Sequence, residues 1–171
     1  MLKKFAFLIL ICHVTWSAMS QDNEQEANLK AVFIYNFTKY VDWEMNNNNP
    51  DFIIGVIGSS PVLKPLEEIA RTNRAKNKRI IIRYYRRPEE IGPCHLLFIS
   101  KKCPFSIQEI LNHTRRGVLT VSEEDDYSKK GTAFNFVIRN DKLKFEANLQ
   151  AIYMAGLRAS SQLLKLAIIV D

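Results

Sequence analysis

The chain has 171 residues, 47% of them hydrophobic, and a formal net charge of +6 from 24 basic and 18 acidic residues. That length makes one ordinary domain, able to bury its own core without disulfide staples. The charge is too small to demand a polyanion as partner, and past residue 20 no apolar run reaches the length of a membrane-spanning helix.

The first twenty residues differ from the rest. Lys3 and Lys4 make a positive start, Phe5 to Trp16 is an apolar run broken only by His13 and Thr15, and Ala18-Met19-Ser20 is a small-x-small cleavage signal. This is the layout of a secretory signal peptide over 1–20. Cys12 raises the alternative of a lipoprotein signal, but a lipoprotein cysteine follows a small residue and here Ile11 precedes it. Removing twenty residues leaves 151 and takes away two basic and no acidic residues, for a mature charge of +4. An exported chain meets oxidising conditions, yet only Cys94 and Cys103 remain, on either side of a predicted strand. A strand of that length holds its ends roughly 20 Å apart, whereas bridged Cα atoms lie within about 7 Å. Buried or free thiols are therefore expected.

A polar, flexible start over 21–27 precedes a single domain over 28–171. Helical spacing runs from Ala27 to Met45. Leu29, Val32, Phe33, Asn36, Phe37 and Tyr40 share one face, and Ala31, Ile34, Tyr35, Thr38 and Val41 make a second, partly apolar one. A helix apolar on two sides is either sandwiched in the fold or touching a partner. "FIIGVI" (Phe52 to Ile57) reads as a strand. Gly58 to Pro61 is a turn into a helix, with Ser60 as N-cap and Pro61 as first helical residue. Further strands are predicted at Arg79 to Tyr85, His95 to Ser100, Gly117 to Ser122, Ala133 to Arg139 and Lys142 to Ala147, with a short helix at Phe105 to Asn112. Asn140-Asp141 joins the last two strands as a hairpin. A final helix runs from about Ala147 to Val170, where Gly156 and Ser160, four apart, let its backbone approach a neighbour closely. The expected architecture is α/β and three-layered. Helices cover both faces of a mainly parallel sheet of about six strands, and the C-terminal antiparallel hairpin forms an edge.

No catalytic constellation emerges. Ser160 and Ser161 stand in neither G-x-S-x-G nor S-x-x-K. Cys94-His95 supplies two zinc ligands where a closed site needs four. "GVIGSSP" lacks both the dinucleotide fingerprint and the P-loop lysine. Glu123 to Asp126 lacks the alternating oxygen ligands of a calcium loop and reads as an exposed loop. No metal or cofactor is expected. The strongest charge feature is "RTNRAKNKRIIIRYYRR", with eight basic and no acidic residues between Arg71 and Arg87. An export signal argues against nucleic acid. That leaves a solvated face, or a surface for an acidic protein, anionic lipid or polysaccharide.

Five blocks occur in order: "KAVFIYNFTKYVDW" (Lys30 to Trp43), "IGVIGSSP" (Ile54 to Pro61), "CHLLFIS" (Cys94 to Ser100), "LTVSEEDDYSKKGTAFNFV" (Leu119 to Val137) and "KLKFEANLQAIYMAGLRASSQLLKLA" (Lys142 to Ala167). Together they resemble the YfiR-like family of exported bacterial proteins. The resemblance implies a compact, non-enzymatic periplasmic α/β regulator that can dimerise. It implies repression of a membrane-bound diguanylate cyclase and capture by an outer-membrane lipoprotein. Many members carry a cysteine at the position of Gly55 that can pair with the one matching Cys94. A second cysteine pair, seen in some members near the final hairpin, has no counterpart between Asp125 and Leu149.

The functional expectation is a periplasmic protein that binds and modulates a membrane signalling protein, of cyclase or sensor-kinase type. Arg83, Tyr84, Arg86 and Arg87 are the expected partner surface, together with Ile34, Tyr35 and Thr38 on the second face of the first helix. Gly58, Cys94, Gly156 and Ser160 are expected to be structural. The alternatives are a small-ligand-binding module, using the crevice at the strand ends, and an accessory protein for outer-membrane or polysaccharide export.

Overall fold

A computed structural model describes residues 23–43 and 50–170. The signal-peptide expectation and most of the predicted asparagine loop lie outside the described residues. Helix α1 covers 23–40 and leads directly into β1 (Val41–Asp42). Then come β2 (Asp51–Ile57), α2 (Leu63–Thr72), β3 (Arg74–Ala75), β4 (Lys78–Tyr85) and β5 (Leu96–Ile99). They are followed by α3 (Ile107–Asn112), β6 (Leu119–Ser122), β7 (Phe134–Arg139) and β8 (Lys142–Asn148). The chain closes with α4 (Leu149–Met154), β9 (Arg158–Ala159), α5 (Ser161–Leu164) and β10 (Ile168–Val170).

The main sheet has eight strands in the order β10-β8-β7-β6-β5-β2-β4-β3, and β1 pairs with β9 in a separate two-stranded ribbon. Strands β4, β2, β5, β6 and β7 run parallel, as β-α-β alternation requires. The two antiparallel pairs, β3–β4 and β7–β8, each close through two residues of positive φ, Lys76-Asn77 and Asn140-Asp141. Positive φ at both central residues is the type I′ geometry that matches strand twist. The class is the expected one, with two additions. Arg74-Ala75 and Ile168–Val170 supply strands where the sequence reads as a basic linker and a helix. Because β10 adds parallel to β8, the β7–β8 hairpin lies inside the sheet rather than at its edge.

The sheet is covered on both faces. One core holds Phe52, Ile54, Val56, Leu96, Phe98, Phe134 and Phe145 with the inner sides of α1 and α2. The other holds Ile53, Ile57, Leu97 and Ile99 with Ile107 and Ile110 of α3. Period-two alternation along each strand divides these residues between the faces.

The structure corrects the reading of α1. Its inward face is Ala27, Ala31, Ile34, Phe37 and Thr38, all buried, and Val41 continues it just past the helix end. Leu29, Val32 and Tyr40 point outward at 45%, 44% and 36% exposure. Phe37 anchors the helix, with ring centroids 4.6 Å from Phe134 and 5.0 Å from Phe145. Ala27 and Ala31 on the same side let the helix backbone approach the sheet.

The continuous C-terminal helix is also corrected. Helix α4 ends in a Schellman motif at Gly156, φ +73. The Leu157 N–H donates to the Ile152 carbonyl at 3.1 Å, and the Gly156 N–H donates to the Tyr153 carbonyl at 2.9 Å. The chain then turns back, and β9 pairs with β1 at the end of α1. Ser160 N-caps α5, its Oγ accepting from the Leu163 N–H at 3.2 Å, while its own N–H donates to the Tyr40 carbonyl at 2.8 Å. Gly156 is a helix stop and Ser160 a helix start, so neither lies in a helix interior.

Candidate partner-binding surface

The basic segment from Arg71 to Arg87 maps onto the end of α2, the β3–β4 hairpin and the length of β4. Strand β3 pairs only with Lys78 and Arg79, so β4 is a sheet edge from Ile80 onward. Arg83, Tyr84, Arg86 and Arg87 are all exposed, as a surface role requires. Several of the cations already have carboxylates. Arg79 grips Asp51 through two hydrogen bonds of 3.0 and 3.2 Å, which holds the Asp51 carboxyl below its ordinary range. Lys76 meets Asp42 at 3.1 Å and Arg87 meets Glu90 at 3.6 Å. Among the described residues, no carboxylate lies within 4.0 Å of the Arg83 or Arg86 side chain.

Two of the three residues expected from α1 are not at the surface. Ile34 and Thr38 are both 0% exposed, Ile34 in the core beneath the helix and Thr38 with its hydroxyl on the Tyr35 carbonyl at 2.7 Å. Burial removes both from any surface. Tyr35 is half-buried, with Lys39 Nζ 4.1 Å from its ring centroid and its hydroxyl 3.4 Å from the Arg74 carbonyl.

The residues suited to chemistry have structural partners. His95 is buried and stacks on Phe52 at 4.6 Å, and its Nδ1 accepts the Ile53 N–H at 2.9 Å. Burial, then the nearby Lys78 charge, lowers its pKa and favours the neutral ring. Burial pushes the Cys94 thiol up to about 12, and Cys94 and Cys103 are unbridged. At the "GVIGSSP" turn, Gly58 has φ +86 and packs against the Cys103 backbone, where an added Cβ would meet Cα at 2.9 Å. The Val62 N–H is taken by Ser60 Oγ and the Leu63 N–H by the Ser60 carbonyl. These bonds close the turn before α2, which starts two residues later than its sequence predicts, with Val62 rather than Ser60 at its N-cap and no side-chain capping bond.

Two polar features escaped the sequence reading. Glu123, assigned to an exposed acidic loop, instead receives Lys30 of α1 at 2.6 Å and the Lys101 N–H at 3.1 Å. Glu146 is buried in β8, taking the Ser128 hydroxyl at 2.5 Å, the Asn135 amide at 3.4 Å and Arg139 at 3.4 Å. Asn148 adds a bond to the Ser128 carbonyl at 2.8 Å. This network pins the loop between β6 and β7 to the hairpin. The sequence signal for it was a glutamate in a predicted strand inside the last of the family-like blocks. No group of three or more His, Cys, Asp or Glu residues is placed to hold a metal ion among the described residues.

A model of the YfiR/HmsC-like family matches residues 27–168. The chain belongs to that family. YfiR/HmsC-like proteins are periplasmic regulators of diguanylate cyclase signalling rather than catalysts. A Cβ at Gly55 would stand 2.6 Å from Cε2 of the buried Tyr85 ring and 3.1 Å from Leu97. Aromatic packing occupies the space that a side chain at position 55 would need.

Proposed function

We propose that this YfiR/HmsC-like protein is an exported, non-enzymatic regulator. It binds the periplasmic part of a membrane signalling protein of diguanylate cyclase or sensor-kinase type, through the basic edge around β4. The observation that carries this reading is the family match over residues 27–168. Residues 1–20 serve as its export signal, and an outer-membrane lipoprotein competes for it. The rival small-ligand reading uses the crevice at the strand ends; anion binding there by the turn after β2 would lack the Val62 and Leu63 amides, which are spent on Ser60. A saturable thermal shift with a nucleotide or anionic metabolite would favour that rival.

Deleting the gene should change cellular cyclic-di-GMP. The full chain should restore the original level, and a chain lacking residues 1–20 should fail to do so. Replacing Arg83, Arg86 and Arg87 with Glu should weaken capture of the membrane protein while leaving the unfolding midpoint near the parent's. Unchanged cyclic-di-GMP, with no membrane cyclase or kinase captured by the parent, would overturn the function. Undiminished capture by the triple variant would overturn the placement of the surface.

A further inference from the structure

From Ile80 onward the backbone of β4 has a side that no strand covers among the described residues. The direction of its amides follows from two independent observations. In the β3–β4 hairpin the two-residue turn makes Ala75–Lys78 the closing, hydrogen-bonded pair, so the peptide groups of Lys78 face β3. Alternation then turns those of Ile80, Ile82 and Tyr84 the same way, outward. On the other side of β2, the Ile53 and Ile57 carbonyls accept from His95 and Ser100 next to and within the β5 segment. Phe52, Ile54 and Val56 therefore face β4. In the parallel register Ile54↔Ile82 they meet Ile81 and Arg83, which again leaves the even-numbered residues pointing out. Neither backbone nor side-chain hydrogen bonds reach the outward groups of Ile80, Ile82 and Tyr84 among the described residues.

Side chains divide along the same strand. Ile80 and Ile82 belong to the α2 side of the sheet, where a groove of about 470 Å³ runs between α2 and the edge, lined by Glu67, Ala70, Arg71, Arg79 and Ile80–Ile82. Arg83 lies on the opposite face, as strand alternation requires. An added strand would meet the Ile80 and Ile82 side chains on one of its faces and the Arg83 guanidinium on the other. We infer that the outer edge of β4 binds an extended acidic segment of the partner by β-strand addition. That segment alternates apolar residues toward α2 with Asp or Glu toward Arg83. This rests on the reading of the chain as a partner-binding regulator and specifies how it binds. Charged edges also guard against self-pairing. A second copy of β4 laid on this edge would bring Arg79, Arg83 and Arg86 of both copies together, so like charge selects against the copy and for an acidic strand.

The probe is the synthetic peptide Ac-EVEVEVE-NH2, with Ac-KVKVKVK-NH2 as control, titrated against the mature chain. Two variants separate backbone from side chain. Tyr84→Pro deletes one outward N–H at an exposed edge site where proline is tolerated, and Tyr84→Ala keeps it. The acidic peptide should bind saturably and slow amide exchange at Ile80, Ile82 and Tyr84. Tyr84→Pro should weaken binding at least tenfold and Tyr84→Ala less than threefold. The basic peptide should not bind. No binding at millimolar peptide, or equal binding to both variants without amide protection, would overturn strand addition. Concentration-dependent protection of the same amides without peptide would assign the edge to a second copy and overturn the acidic partner. Loss of membrane-protein capture in the triple Glu variant, with capture intact in Tyr84→Pro, would sink strand addition alone and leave the regulator reading standing.

Discussion

Replacing Gly156 with alanine separates two readings of the same residue by sign. In a helix interior the change stabilises by about 1 kcal/mol, because glycine there is the costlier residue. In the structure Gly156 sits at φ +73, one residue past the cap of α4. The left-handed region costs an alanine about 1–2 kcal/mol. The new Cβ would also lie 2.8 Å from Arg116 Nε, but a guanidinium at the end of a flexible side chain moves at little cost. The expected result is a loss of about 1–1.5 kcal/mol, or a fall of about 2–6 °C in Tm for a domain of this size. Asparagine tolerates the left-handed region, so Gly156→Asn should lose less than Gly156→Ala. Urea unfolding of the mature chain, followed by the fluorescence of Trp43, measures both. Equal slopes with a lower midpoint would mean that stability alone changed. An alanine variant as stable as the parent would refute the Schellman stop and restore the continuous helix.

Ile34→Ala should cost about 2–5 kcal/mol, as deletion of a fully buried side chain does. Val32→Ala should stay within about 0.5 kcal/mol, because alanine's helix preference offsets the little burial lost; similar losses in urea unfolding would contradict the orientation of α1. Gly55→Cys under reducing conditions should lose about 1–3 kcal/mol through displacement of the Tyr85 ring. Adding Tyr85→Ala should make the double variant less unstable than the sum of the singles, and strict additivity would reject that contact. His95 has its pKa lowered in the folded state, so its contribution to stability is full above about 6.5, the value in the unfolded chain. That contribution fades as pH falls through the lower folded value, by at most about 1.4 kcal/mol per pH unit. Unfolding titrations between pH 7 and 5 should slope more steeply for the parent than for His95→Gln, and parallel slopes would refute the assignment.

The exposure of the basic segment was legible before any coordinates. A basic run with no acid between Arg71 and Arg87 could only be solvated or paired across the surface, and Arg83, Tyr84, Arg86 and Arg87 are indeed exposed. The counter-ions were not legible, since Asp51 and Asp42 are distant in sequence from Arg79 and Lys76 and meet them only through strand register and the end of α1. Ile34 and Thr38 were misplaced for a related reason. A helix with apolar residues on two sides does not say which side faces inward, and here Phe37 fits against Phe134 and Phe145 while Ala27 and Ala31 permit close approach.

The sequence by itself determined the alternation of strands and helices, hence a parallel sheet with two covered faces, because period-two and period-3.6 hydrophobicity are local properties. It also determined the family, through blocks spread along the chain. Tertiary structure alone decided where the C-terminal helix stops. Leu149 to Ala167 satisfies helical spacing, but the Gly156 stop lets Arg158-Ala159 pair with β1 and frees Ile168–Val170 to join β8. It also decided that β4 is an edge. A strand's neighbours depend on pairing between segments far apart in the chain, which no local pattern encodes.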